Sequence, residues 1–334
     1  MKQRIFFRAD GNSEIGFGHV VRSLALAEML RDEYFIAYAI QHPSEFILSL
    51  INPVAAELYI LPIETDNNID CNNFIRLIVP GDIVVTDGYR FDSKYQQKIK
   101  MSGCKLVCID DQHLIHFFAD AVINHAGGIQ TADYSAEPYT KLFLGVKYAL
   151  LRQSFLKTLS KKVTHQKMET IFVCMGGSDV QEILLNVVES LNTNVNVKNI
   201  HVVTASLKAK ELLELTGNKN SNLFIHYSLS DNEICSLLET CDIAVTASST
   251  VAYECCAVGI PLYTGYFVEN QKHIFEFLID QQLALPLGDL SKLTSFEFNF
   301  HLNLSSFEIM VSTQRRLFNT GIITNCKNIF HNLN

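Results

Sequence analysis

Ile5-Phe-Phe-Arg8-Ala-Asp10-Gly11-Asn-Ser-Glu-Ile-Gly16-Phe-Gly18-His19-Val-Val-Arg22-Ser-Leu24 is the stretch that decides the fold of this chain. A short apolar run precedes three glycines, and apolar residues at helical spacing follow them at Val20, Leu24 and Ala27. This order predicts a strand, a glycine-rich loop and a helix whose apolar face packs on a sheet. A helix that begins in this way has unpaired N–H groups in its first turn, and these attract anions.

Two standard phosphate-binding motifs match this loop in part, and each lacks a residue that the motif requires. Gly11 and Gly16 have Walker A spacing, but Phe17-Gly18 stands where Lys-Ser/Thr is needed, which disfavours ATPase chemistry. Gly16 and Gly18 begin a dinucleotide fingerprint that lacks its third glycine, so no redox cofactor is expected. What remains is an imidazole, His19, one turn before Arg22 and next to a predicted anion site. A lone histidine at a helix start is more often a capping or packing residue, and the spacing alone leaves both roles open.

The whole motif, R-x-D-G-x-x-x-I-G-x-G-H-V-x-R-x-L-x-L-A, resembles the amino-terminal signature of the PseG-type UDP-2,4-diacetamido-2,4,6-trideoxy-β-L-altropyranose hydrolases of pseudaminic acid biosynthesis. These enzymes are relatives of the MurG-like GT-B glycosyltransferases. The resemblance implies that His19 is catalytic and that Asp10, Gly16, Gly18 and Arg22 contact the substrate. It extends over residues 4 to 284, specifically at this motif and loosely elsewhere.

The length, charge and cysteine content of the chain also limit the class of protein to which it can belong. The chain has 334 residues, 48% of them hydrophobic, which is enough for two α/β domains. A formal net charge of −8 argues against general affinity for nucleic acid. The nine cysteines form no CxxC pair or zinc-spaced cluster, so we expect reduced, mostly buried thiols and no metal site. With no apolar leader or membrane-length run, a cytoplasmic location is expected.

Apolar runs alternate with helical patterns after the first helix, which predicts βαβ units and a parallel sheet. Ligands of such sheets bind beyond the carboxyl ends of the strands. Asp87-Gly88-Tyr89, Asp110-Asp111 and Asn124-His125 stand at these ends. Each also has an ordinary explanation as a turn or capping residue. The resembled family has Asp-x-Tyr and Asp-Asp at two of the ends, which favours Tyr89 for substrate contact and leaves Asp110 and Asp111 as either site or structural residues.

The second half repeats the layout. A strand-like run, Ile171 to Cys174, precedes Gly176 and Gly177, a glycine pair at a predicted helix start that suits a diphosphate. A later polar turn contains Ser248 and Ser249, with Glu254 one turn further on. Serines are also routine N-caps, and the two roles are equally supported by the residues alone. The resemblance implies that this region binds the nucleoside diphosphate, with Glu254 on the ribose, and that Asn270 faces the cleft.

The sequence therefore predicts two doubly wound Rossmann-like α/β domains facing a cleft, the GT-B architecture. The predicted domains are residues 1–155, which bind the sugar, and 156–334, which bind the nucleotide, with a last helix pair at residues 307–330 that crosses back to the first domain. The resemblance implies hydrolysis of a UDP-linked 2,4-diacetamido-2,4,6-trideoxy hexose with inversion. The sequence shows no metal-ligand cluster, so we expect the reaction to need no metal, and we expect a monomer without membrane or nucleic-acid partners. A GT-B glycosyltransferase with a UDP-sugar donor and a non-catalytic sugar-nucleotide-binding protein are the alternatives.

Overall fold

The computed structural model of the chain describes residues 2–12, 16–158, 168–176, 181–298, 304–318 and 321–333. The chain divides into two units, Met1–Arg152 with Gly321–Asn334 and Gln153–Thr320. The division falls after Arg152 rather than after Phe155, because the helix that begins at Gln153 packs on helices of the second unit. In this helix Ser154 donates a hydrogen bond to Asp231 Oδ2 over 2.6 Å.

The first unit is built on a parallel sheet of seven strands in the described part of the chain, in the order β3-β2-β1-β4-β5-β7-β9. A short parallel pair, β6 and β8, lies apart from it. The elements in chain order are β1 (Arg4–Ala9), α1 (Gly18–Leu30), β2 (Phe35–Gln41), α2 (Glu45–Ile51), β3 (Glu57–Leu61), α3 (Asn67–Phe74), β4 (Ile83–Asp87), α4 (Ser93–Met101), β5 (Lys105–Ile109), β6 (His116–Phe117), β7 (Ala121–Asn124), β8 (Ser135–Ala136) and β9 (Lys141–Leu144).

The central strands of this sheet are buried along almost their whole length, as expected of a parallel sheet with helices on both faces. Phe6 of β1 meets Phe74 edge to face at 5.4 Å on one side of the sheet. Phe7 lies beside Tyr38 at 6.2 Å. The strand order reverses between β1 and β4, whose residues pair in register from Ile5 with Ile83 to Ala9 with Asp87. Such a switch point is where open α/β sheets bind ligands.

The second unit has a six-stranded parallel sheet in its described part, in the order β12-β11-β10-β13-β14-β15, the order of a Rossmann fold. Its core includes Ile171 and Val173 from β10 (Thr170–Cys174), with Leu184 and Val187 from the helix that follows β10 in the chain. The elements are α5 (Gln153–Thr158), β10 (Thr170–Cys174), α6 (Gln181–Asn192), β11 (Asn199–Thr204), α7 (Leu207–Thr216), β12 (Asn222–Tyr227), α8 (Asp231–Thr240), β13 (Ile243–Ala247), α9 (Thr250–Val258), β14 (Leu262–Tyr266), α10 (Glu269–Asp280), β15 (Leu285–Asp289) and α11 (Leu304–Phe318).

Two helices, α11 and α12 (Ile322–His331), occupy the region of the predicted terminal pair, but α11 lies in the second unit, where it packs on α9. Helix α12 belongs to the first unit, where it packs on α1. Phe330 contacts Tyr34 with ring centroids 6.1 Å apart, and His331 pairs with Glu33 at 2.7 Å. The predicted fold class, α/β with doubly wound parallel sheets, is confirmed. Within the described residues, no helix combines the length and the apolar character that crossing a membrane requires.

Candidate active site

The glycine loop ends where α1 begins. Close packing and backbone conformation explain why Gly11 and Gly16 are glycines. A Cβ atom on Gly11 would lie 2.8 Å from Val20 Cγ2 and 3.2 Å from the carbonyl oxygen of Gly16. Gly16 is buried and has a φ of +82°, which favours glycine. Helix α1 begins at Gly18, and its N-cap residue, Phe17, provides no side-chain hydrogen bond to the first turn. The exposed Gly18 thus lies at a helix N-terminus that suits an anion.

His19 is the second residue of α1 and is 9% exposed. Its Nδ1 lies 2.7 Å from Oδ1 of Asp87, the fully buried last residue of β4. Arg22 Nη2 is also 3.1 Å from the same nitrogen, but it is only 2.6 Å from Asp87 Oδ1. The Arg22 guanidinium can only donate a hydrogen bond, and the Asp87 carboxylate can only accept one. The short contact between Nδ1 and the carboxylate therefore places the ring proton on Nδ1, which donates to Asp87 Oδ1. The lone pair of the neutral imidazole is therefore on Nε2.

Arg22 joins two carboxylates one turn further along α1. Its Nε and Nη2 bind both oxygens of Asp87, at 2.7 and 2.6 Å, and Nη1 binds Asp111 Oδ2 at 2.7 Å. Burial alone would raise the pKa of Asp111, but the charge and the hydrogen bond of Arg22 outweigh it and lower that pKa. One buried guanidinium therefore binds both carboxylates and favours the ionised form of Asp111.

Tyr89 follows β4 and covers this cluster from the solvent side. Its ring meets the His19 ring edge to face with centroids 4.8 Å apart, and its hydroxyl lies 3.3 Å from Asp111 Oδ2. The side chain is 55% exposed, so a ligand can reach it. The structure thus brings together five residues that the sequence placed at the glycine loop or at strand ends: His19, Arg22, Asp87, Tyr89 and Asp111.

Asp110, the neighbour of Asp111, has a structural role. Its Oδ2 accepts hydrogen bonds from the backbone N–H of His113 at 2.9 Å and from the Tyr134 hydroxyl at 2.8 Å. Burial raises its pKa. The two aspartates, which the sequence left open, therefore differ: Asp110 stabilises a loop, whereas Asp111 belongs to the Arg22 cluster.

Asp10, at the end of β1, is part of a separate buried charge cluster. Its Oδ1 accepts hydrogen bonds from Arg8 Nη1 at 2.5 Å and from the backbone N–H of Gln41 at 2.8 Å. Arg8 is fully buried and also binds Asp70. Asp10 Oδ2 lies 3.5 Å from Arg90. Because Oδ1 is already used by these partners, any substrate contact of Asp10 is left to Oδ2.

His125 is a buried histidine that the sequence placed at a strand end without a role. It is 3% exposed, and its Nδ1 accepts a hydrogen bond from the backbone N–H of Leu150 at 3.3 Å. Burial, together with the charge of Arg22, lowers its pKa to about 4. His125 is therefore neutral at physiological pH.

Four of the predicted nucleotide-binding residues lie in the described part of the second unit: Gly176, Ser248 and Ser249 follow strands, and Glu254 lies within α9. Gly176 follows β10 with a φ of +92°, and a Cβ atom added there would lie 4.0 Å from Ser249 Oγ. Gly176 and Ser249 are therefore neighbours. Gly177 lies outside the described residues. Asn270 is a half-buried residue in the first turn of α10.

Ser248 and Glu254 are both almost fully buried in the structure. Ser248 is fully buried; its N–H donates to Gly265 O at 2.7 Å, and its hydroxyl pairs with Thr264 at 2.9 Å. With these contacts, Ser248 is better suited to support the turn at Ser249 than to contact a nucleotide directly. Glu254 lies within α9 and is 2% exposed. Ser249 is half-buried and serves as the N-cap residue of α9 without a side-chain capping bond.

The partnership of His19 with Asp87 is the part of the site that sequence reasoning missed. The sequence placed both residues at one sheet edge but offered no way to pair them. The pairing depends on the register of β1 and β4, which sets Ala9 beside Asp87.

Comparisons with known proteins agree with the amino-terminal motif. No family model matches the chain. The chain is 25% identical to UDP-2,4-diacetamido-2,4,6-trideoxy-beta-L-altropyranose hydrolase of Campylobacter jejuni, over 80% of this chain and 93% of that protein. It is 24% identical to the spore coat polysaccharide biosynthesis protein SpsG of Bacillus subtilis, over 84% of this chain and 82% of that protein.

Solved structures show the same fold at low sequence identity. Anabaena HepE in complex with UDP and glucose matches with a TM-score of 0.64 at 12% identity, over 100% of this chain and 99% of that one. The calicheamicin glycosyltransferase CalG4 matches with a TM-score of 0.61 at 14% identity, over 100% and 98% of the two chains. Acinetobacter baumannii MurG matches with a TM-score of 0.54 at 12% identity, over 98% and 95%. The chain thus has the GT-B fold of the MurG-like glycosyltransferases, and its resemblance to the UDP-2,4-diacetamido-2,4,6-trideoxy-β-L-altropyranose hydrolases is confirmed.

Proposed function

We propose that this protein hydrolyses a UDP-linked 2,4-diacetamido-2,4,6-trideoxy hexose to the free sugar and UDP. The observation that carries the proposal is the His19–Asp87 pair, with a 2.7 Å contact at Nδ1, at the first turn of the helix that follows the glycine loop. The similarity to the Campylobacter jejuni hydrolase, which spans most of both chains, supports the choice of reaction and substrate.

His19 acts as the general base in this proposal. Its Nε2 takes a proton from a water molecule while the water oxygen forms a bond to the anomeric carbon. The bond from that carbon to the UDP oxygen breaks on the opposite side, so the configuration is inverted. Asp87 holds the ring in the tautomer that leaves Nε2 free and offsets the positive charge that the imidazole acquires.

UDP leaves as a stable anion, so the reaction does not require a general acid. Helix N-termini and backbone N–H groups stabilise such a leaving group electrostatically. We assign this role to Gly176, Gly177 and Ser249, with Ser248 in support and Glu254 on the ribose. Gly16, Gly18, Arg22, Tyr89 and Asn270 complete the proposed substrate contacts, and Asp10 contributes through Oδ2.

The decisive experiment measures UDP release from UDP-2,4-diacetamido-2,4,6-trideoxy-β-L-altropyranose with no acceptor and with EDTA present. We expect stoichiometric UDP and free sugar, because water is the nucleophile and no metal is proposed. UDP release only after addition of an acceptor would identify a glycosyltransferase. Binding without turnover would identify a sensor, and restoration of an EDTA-inhibited reaction by Mg²⁺ would refute metal independence.

A further inference from the structure

The turn that follows β5 holds Asp111 in the site and is closed by its neighbour, Asp110. Asp111 Oδ2 accepts a hydrogen bond from Arg22 over 2.7 Å. Asp110 Oδ2 accepts one from the backbone N–H of His113 over 2.9 Å. His113 has a φ of +47°, a left-handed backbone conformation in which a residue other than glycine is strained. Because a strained turn persists only where other contacts hold it, the contacts of Asp110 determine the position of the Asp111 backbone.

Tyr134 provides another hydrogen bond to Asp110. Its hydroxyl donates to Oδ2 over 2.8 Å and accepts a hydrogen bond from Nδ2 of Asn124 over 2.9 Å. Asn124 is fully buried at the end of β7, where its Oδ1 accepts the backbone N–H of Ala126 over 2.9 Å. Since only the amide oxygen can accept that bond, Nδ2 faces the tyrosine. Burial raises the pKa of Tyr134, which keeps the hydroxyl protonated and able to donate.

The Tyr134 ring is held independently of its hydroxyl. Its centroid lies 5.5 Å from that of the buried Phe117 ring and 5.8 Å from that of the His113 ring. Packing of this kind fixes the position of an aromatic ring, and a phenylalanine would retain it. The hydroxyl therefore has a task that can be separated from the task of the ring.

Arg22 couples the turn to the histidine. Its Nη1 binds Asp111, and its Nη2 lies 2.6 Å from Oδ1 of Asp87. His19 Nδ1 contacts the same Asp87 oxygen. A shift of Asp111 would release one end of this planar guanidinium, and with it the carboxylate that orients the imidazole. A misplacement of about 1 Å at such groups can lower the rate by about a hundredfold.

We infer that Tyr134 is a positioning residue for the proposed reaction. Its hydroxyl, oriented by Asn124, holds the turn that presents Asp111 to Arg22. The consequence for turnover rests on the proposed function, whereas the consequence for Arg22 concerns the first unit alone.

The first test follows the side-chain N–H resonances of Arg22 by NMR on the complete chain. Tyr134→Phe retains the ring and removes the hydroxyl. We expect hydrogen exchange of these N–H groups to accelerate by at least about tenfold, because the lost hydrogen bond to a charged group makes local opening that much more frequent. Tyr139→Phe is the matched control, since it removes a hydroxyl that donates to the Phe118 carbonyl oxygen over 3.1 Å in the same unit. Unchanged exchange in Tyr134→Phe, or equal acceleration in both variants, would overturn the inference.

Turnover provides the second test. Tyr134→Phe should lower kcat by about tenfold to a hundredfold and leave UDP affinity unchanged, because nucleotide binding is assigned to the second unit. In an Asp111→Asn background the same substitution should lower kcat no further, since residues that act as one unit are not additive. Multiplicative losses would show that Tyr134 does not act through Asp111. If Asp111→Asn fails to fold, the exchange of the Arg22 N–H groups decides the matter. A parent chain that releases no UDP would reject the proposed hydrolase, and the same exchange measurement would still test the positioning role.

Discussion

A histidine whose Nδ1 is held by a carboxylate presents a single nitrogen to its substrate, and His19 is in this state. We predict that His19→Ala lowers kcat by about 10²–10⁴-fold, the usual contribution of a general base. His19→Asn should be nearly as slow, because an amide cannot take the proton. UDP affinity, measured by calorimetry, should change little in either variant. His116→Ala, which alters a half-exposed histidine of the same unit, is the control. Retention of more than about a tenth of kcat would exclude a general-base role of this size.

Asp87 acts through His19, and a double variant tests this dependence. Asp87→Asn is expected to lower kcat by at least about 10²-fold, because the amide no longer selects the Nδ1-protonated tautomer. Combining it with His19→Ala should slow the reaction no further than His19→Ala alone, since residues that act as one unit are not additive. Multiplicative losses in kcat would show that Asp87 acts independently of the histidine.

Arg22 connects helix α1 to the ends of strands β4 and β5. A substitution of Arg22 therefore tests how strongly these three elements are held together. Arg22→Met would leave the buried carboxylates of Asp87 and Asp111 without their cation. We expect the free energy of unfolding to fall by about 3–5 kcal/mol, as for other broken buried ion pairs. Arg31→Met, at the exposed end of the same helix, should cost less than about 1 kcal/mol. Urea denaturation monitored in the first unit measures both, and similar losses in the two variants would contradict this account.

Helix α9 carries the proposed ribose contact. Glu254→Gln should weaken UDP binding by about tenfold to a hundredfold, because a hydrogen bond to a charged acceptor is replaced by a neutral one. Glu276→Gln, on the exposed face of α10, should leave UDP affinity unchanged. Calorimetric titration with UDP gives the comparison, and an unaltered dissociation constant in Glu254→Gln would remove this residue from the nucleotide site.

Some strands of the two sheets were predictable from apolar runs in the sequence, and other strands were not. The runs at residues 35–40, 83–86 and 106–109 predict strands because central parallel strands are buried on both faces. Strand β15 was not predicted: it forms an edge of its sheet and contains Pro286 and Gly288, which weaken the strand pattern. His19 was found from its motif. Its bond to Asp87 was not, because strand register is a tertiary property that residue spacing does not encode.

At the scale of the whole molecule, His125 makes stability depend on pH. Its pKa is about 4 in the folded protein, against about 6.5 for an unperturbed histidine. Between these two pH values His125 is protonated in the unfolded chain and neutral in the folded chain. The free energy of unfolding therefore has its full value above about pH 6.5 and falls as the pH decreases to about 4. The difference corresponds to about 3 kcal/mol. We expect His125→Gln to lose correspondingly less stability than the parent chain between pH 7 and 4, as measured by urea denaturation. Parallel pH profiles would contradict this origin.

The first unit is discontinuous in sequence, since residues 321–334 complete a unit that residues 1–152 begin. During translation, helix α12 leaves the ribosome only after residues 153–320 have been synthesised. At bacterial or eukaryotic elongation rates this interval lasts roughly ten to thirty seconds. Throughout this interval, Tyr34 and the part of α1 on which α12 packs are uncovered. The second unit, although it begins later in the sequence, therefore has all of its residues before the first unit does, and the first unit can complete its packing only after the second has been synthesised.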